Sequence, residues 1–88
     1  MLRITRKVEN ESQVTLYVEG RLVLPELDEL EKETHFLLAA GKKVVLDLGG
    51  VISVGVQAAQ ILKRLRLQNV DIRAPALIES FLNEEQDR

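Results

Sequence analysis

The chain has 88 residues and a net charge of -2, with 45% hydrophobic, 30% charged and 3% aromatic residues. That balance is globular, and the length suits a single small domain spanning residues 1–88. The lack of cysteine excludes disulfide staples and thiolate metal sites, one histidine leaves little acid–base chemistry near neutral pH, and the acidic balance argues against a nucleic-acid or membrane-surface partner.

The opening residues alternate, with Leu2, Ile4 and Val8 on one side and Arg3, Thr5 and Lys7 on the other, which predicts a strand. The same alternation argues against a secretory leader, which needs an apolar core, and no stretch reaches the roughly 20 apolar residues of a membrane helix. A soluble, cytoplasmic protein is expected. Glu9-Asn10-Glu11-Ser12 reads as a turn, and Val14, Leu16 and Val18 then alternate with Thr15, Tyr17 and Glu19. So short a connection predicts an antiparallel hairpin, with Gly20 closing its second strand.

Pro25 is suited to open a helix, because its missing N–H would be unpaired there anyway. Glu26, Asp28 and Glu29 would sit at its positive end. Leu27, Leu30, Thr34, Leu37 and Leu38 have the spacing of one buried stripe, and Gly41 can end the helix. Val44 to Leu48 is a nearly continuous apolar run, the pattern of a central strand covered on both faces. Gly49 and Gly50 then read as a break. A second helix is expected over Gln57 to Leu67, with Ala58, Ile61, Leu62 and Leu65 inward. A short strand over 69–73 follows, and Pro75 opens a third helix with Leu77, Ile78, Phe81 and Leu82 as its core stripe. Residues from about 84 onward are expected to fray. These elements predict an α/β fold: a mixed sheet of about four strands with about three helices packed mainly on one face.

Little in the chain suggests catalysis. Gly50 and Gly55 have the spacing of a phosphate-binding loop, but Val56 and Gln57 stand where that loop needs Lys and a hydroxyl. His35 lies off the buried stripe of the first helix and reads as a surface residue. No nucleophile-elbow pattern surrounds Ser12, Ser53 or Ser80. Asp47, near the end of an apolar strand, reads first as an acceptor for N–H groups around Gly49 and Gly50, and second as a carboxylate at a site opening. Lys63, Arg64 and Arg66 gather near a helix C-terminus, where the helix dipole favours them. No enzyme activity, metal or cofactor is expected.

Val18-Glu19-Gly20-Arg21-Leu22 and Val44-Val45-Leu46-Asp47-Leu48-Gly49-Gly50-Val51 resemble stretches of STAS domains, the sulfate-transporter and anti-sigma-factor-antagonist family. Ala74-Pro75-Ala76-Leu77 is similar to the segment opening a late helix there, and Met1-Leu2-Arg3-Ile4-Thr5 to the start of short bacterial members. The resemblance implies a non-enzymatic interaction module of bacterial signalling. In the antagonists a serine at the start of the second helix is phosphorylated by a partner kinase, and the added dianion changes complementarity by repulsion and desolvation. Here Gly55-Val56-Gln57-Ala58 stands in place of Asp-Ser-Ser-Gly, so Gln57 occupies the phosphoacceptor position and Ser53 is the nearest hydroxyl. The resemblance therefore implies a regulatory module that serine phosphorylation does not switch. Its expected surface comprises Ser53, Gly55, Val56, Gln57, Gln60 and Arg64, and its expected partner is an anti-sigma factor or serine-kinase-like protein. Two other readings are a small ligand or anion held by the Gly-rich loop and the second helix's N-terminus, and a homodimer formed through an exposed strand edge.

Overall fold

The computed structural model describes the backbone of residues 2–86 and the side chains of 2–80 and of Leu82. The chain runs β1 (Leu2–Asn10), β2 (Gln13–Leu22), α1 (Leu27–Ala39), β3 (Lys43–Val54), α2 (Val56–Leu67), β4 (Asp71–Arg73) and α3 (Ala76–Gln86). The four strands form one sheet in the order β1-β2-β3-β4. A tight turn makes β1 and β2 antiparallel; α1 and α2 are crossovers, which make β2–β3 and β3–β4 parallel.

Strand pairing explains how the two faces differ. Arg6, Leu16, Leu46 and Ile72 lie in one cross-strand row, and Thr5, Tyr17, Asp47 and Arg73 in the next. The first row faces the helices. There Leu16, Leu46 and Ile72 join Leu27, Leu30, Leu62 and Leu82 in a single apolar core. The second row faces away and is polar. The sheet thus carries three helices on one face, as expected. Val45 and Thr15 are buried on the opposite face. Thr15 is satisfied there by donating to Glu9 Oε2 at 2.8 Å.

Both long crossover helices end in the same device. Gly41, at φ 81°, donates its N–H to Leu38 O, and Lys42 N–H reaches back to Leu37 O. Asn69, at φ 70°, and Val70 repeat this with Arg66 O and Leu65 O. This pair of reverse bonds satisfies carbonyls that would otherwise be orphaned, and it requires one residue in the left-handed region. Gly41 was the stop signal expected for the first helix.

Several expectations are corrected. Gly20 does not close β2, nor do Gly49 and Gly50 break β3; the two strands remain paired out to Leu22 and Val54. Between Tyr17 and Glu19 β3 advances from Asp47 to Gly50, and between Gly20 and Arg21 it advances from Val51 to Ser53. Each shift is a bulge that absorbs one extra residue and keeps the ladder going. Pro25 lies in the turn before α1 and not in its first turn. In α3, Leu77 is 86% exposed whereas Leu82 is fully buried, because the packed face runs through Ile78 and Leu82, one turn apart. The expectation for Phe81 lies outside the described side chains. The backbone of α3 is helical to Gln86.

Gly50 pairs with Glu19 across the second stretch of ladder. A Cβ at Gly50 would lie 2.6 Å from Glu19 Cγ and 3.3 Å from its Cα. Gly50→Ala should therefore force the strands apart and cost about 1–2 kcal/mol. Chemical denaturation checks this; an unchanged midpoint contradicts the bulged register.

Candidate functional site

The C-terminal ends of β2 and β3 and the start of α2 come together at one end of the sheet. Leu22 pairs with Val54, and Gly55 N–H donates to Leu22 O at 3.0 Å. This bond ties the entry of α2 to the exit of β2. A Cβ at Gly55 would lie 3.7 Å from Val23 Cγ1, so the β2–α1 connection runs directly beside it.

Four apolar side chains are exposed around this junction. Ile52 is 75% exposed and Val56 60%, and Val23 and Leu24, in the connection that passes Gly55, are exposed as well. Ile52 projects because it is the extra residue of the second bulge, the point at which strand alternation resets. Ser53, opposite Arg21, is exposed next to it. On α2, Gln57, Gln60 and Arg64 are exposed at helical spacing and form the outward stripe, while Ala58, Ala59, Ile61, Leu62 and Leu65 face the core.

The structure therefore brings together Ser53, Gly55, Val56, Gln57 and Gln60; Arg64 extends the stripe toward the far end of α2. Ser53 sits on a paired strand, however, and not in a loop. The Gly-rich loop expected over 50–55 does not form, because β3 extends through Val54. An anion reading that needs a curled cradle of free N–H groups loses its geometric basis there. Only the N-terminus of α2 remains of it.

Other residues singled out in the sequence have structural roles. Asp47 Oδ1 accepts the Gly49 N–H at 2.9 Å, the acceptor role expected, and so holds the first bulge. Arg66 bonds Glu79 of α3 at 3.2 and 3.4 Å, which spends one member of the basic group on joining two helices. His35 is exposed on α1, as expected. Among the described residues, no group of His, Cys, Asp and Glu is arranged to hold a metal ion, and no helix is long and apolar enough to cross a membrane.

Sequence reasoning missed Val23, Leu24 and Ile52. The first two could have been found as apolar residues lying after the last alternating position of β2 and before Pro25. The exposure of Ile52 depends on the bulge, which only the pairing reveals.

Gly55 caps α2 with φ -76° and ψ 167° and offers no side-chain bond, and the first turn of α2 contains no acidic residue. These angles suit a serine cap, and nothing would crowd its Cβ closer than 3.6 Å. Gly55→Ser is expected to stabilise the fold by about 0.5–1 kcal/mol, through the cap and a less flexible unfolded chain. A thermal melt checks it; destabilisation contradicts the cap geometry.

No protein-family model matches this sequence, and no curated protein matches it significantly.

Proposed function

We propose that the chain is a non-enzymatic, regulatory protein-interaction module that docks its partner through the C-terminal end of β2 and β3 and the first turns of α2. The observation that carries this is the exposure of the apolar Val23, Leu24, Ile52 and Val56, and of the polar Ser53, Gln57 and Gln60, on the segments that meet at this end of the sheet. Exposed apolar patches with polar rims are characteristic of protein docking sites. Ile52 and Val56 project outward instead of lining a cleft, which suits a protein surface better than a small molecule. The resemblance to STAS domains supports the same surface, since antagonists of that family are phosphorylated at the start of the second helix. The order and polarity of the elements are compatible with that reading.

Gln57 has no hydroxyl to receive phosphate, so binding is constitutive. The partner chemistry that fits is an apolar groove or helix face carrying amide-bonding groups, on an anti-sigma factor or serine-kinase-like protein in a bacterial cytoplasm. The test is native isolation of the tagged chain from cells that make it, beside Val56→Asp. The expected result is one protein held stoichiometrically by the natural chain and lost from the variant. Equal recovery from both chains overturns the reading. Intact mass after incubation with the partner kinase and ATP is expected to show no added phosphate; addition at Ser53 overturns the constitutive mode.

A further inference from the structure

The sheet has one long edge. β1 spans nine residues, regular from Leu2 to Val8 with a register shift at Glu9 next to the turn, and pairs on one side only, whereas the opposite edge is the three-residue β4. Such an edge carries a row of main-chain donors and acceptors able to accept another strand. Its side chains are suited to a particular occupant. We infer that β1 pairs antiparallel with β1 of a second copy, about a two-fold axis normal to the sheet that passes midway between the two Arg6 residues, giving one continuous eight-stranded sheet. This inference does not rest on the docking reading above.

The register follows from charge. With Arg6 opposite Arg6 of the second copy, Arg3 of each chain meets Glu9 of the other, Ile4 meets Val8, and Thr5 meets Lys7. The Arg3–Glu9 ion pair and the Ile4–Val8 apolar pair each occur twice, as a two-fold interface requires. Shifting the register by two residues either way loses this match. One shift sets Arg3 against Lys7, and the other sets Lys7 against Lys7, and like charges directly opposite are unfavourable. The basic residues that normally guard an edge thus select one register here.

The details on each chain agree. Val8 is 65% exposed although it shares the helix-side face with the half-buried Ile4, so it is an apolar residue without cover. Arg6 is ion-paired with Glu33 of α1, so the two Arg6 side chains at the axis meet already compensated. Arg3 is held only loosely, its Nε 3.9 Å from Glu19 Oε1. Glu9 accepts the Thr15 hydroxyl at Oε2. A carboxylate has two oxygens, so Glu9 can keep this bond and still accept a guanidinium. A cleft of about 270 Å³ beside Leu2 and Ile4, rimmed by Glu26 and Glu29, adjoins the seam on the helix side.

The test is sedimentation velocity of the full chain from micromolar concentration up to about 1 mM, a range that covers the weak dimers formed by small interfaces. The natural chain is expected to reach twice its 9.9 kDa mass. Arg3→Glu alone opposes two carboxylates at both contacts, and Glu9→Arg alone opposes two guanidinium groups. Each is expected to weaken the dimer at least tenfold. An equimolar mixture restores both ion pairs and is expected to dimerise as the natural chain does. A natural chain that stays monomeric throughout overturns the inference and leaves the edge to a different protein. Single variants that dimerise unchanged, or a mixture that stays monomeric, overturn the register.

Because the chain has no cysteine, a covalent readout is available should a charge variant unfold. Ile4→Cys mixed with Val8→Cys should crosslink on mild oxidation, since paired strand residues meet disulfide geometry. Val8→Cys alone should not crosslink; equal crosslinking by Val8→Cys alone overturns the register.

Discussion

Leu46→Ala is expected to lower stability by about 3–4 kcal/mol, whereas Leu77→Ala should leave it within about 0.5 kcal/mol. Both residues are leucines that the sequence assigns to the core. Leu46 is fully buried in β3, flanked in its row by Leu16 and Ile72 and covered by the helices. Truncation removes transfer energy and leaves a cavity that three packed helices cannot easily close. A domain of this size holds only about 5–10 kcal/mol in total, so the loss is a large fraction of it. The corresponding fall in melting temperature is more than about 12 °C. Leu77 is almost entirely in solvent, and its removal exposes nothing new. Urea melts of both variants decide the matter; equal losses contradict the assigned face of α3.

The second large effect concerns binding. Ile52→Asp is expected to weaken the partner complex at least about 30-fold, equivalent to about 2 kcal/mol, while the melting curve hardly moves. The two halves of this prediction follow from one fact. Ile52 is the bulged residue of β3 and projects into solvent, so the folded chain makes little use of it. In a complex it would be a central apolar anchor, and a carboxylate there would be buried without a counter-charge. Calorimetric titration of the purified partner checks the affinity, and circular dichroism checks the fold. Unchanged affinity contradicts the proposed surface; a collapsed fold contradicts the assignment of Ile52 as exposed.

Most of the architecture was legible because it rests on local physics. Alternation in β1 and β2, the stripes of α1 and α2, and the stop at Gly41 each follow from spacing and from one glycine's backbone freedom. The bulges in β3 were not legible, because glycine is equally suited to a turn and to close strand approach. The choice between these depended on Glu19, thirty-one residues away in sequence and directly opposite in space. The loop expected over 50–55 was therefore a strand, and Ile52 went unnoticed. In α3 the expected stripe held both Leu77 and Leu82, and only contact with the rest of the core selects Leu82 over Leu77. The exposure of Gln57, Gln60 and Arg64 was visible from α2 periodicity, since they fall outside its apolar stripe, but only the family resemblance singled them out as a surface.

Photocrosslinking in living cells tests the proposed docking end most directly. A photoreactive amino acid is placed at position 56, at the start of α2, and in a separate chain at position 36. Val56 and Phe36 are both exposed and apolar, but Phe36 lies toward the C-terminal end of α1, which leads to the opposite end of the sheet. The account predicts one dominant protein adduct from position 56 and none from position 36. Adducts of equal yield from both positions, or from position 36 alone, would contradict it.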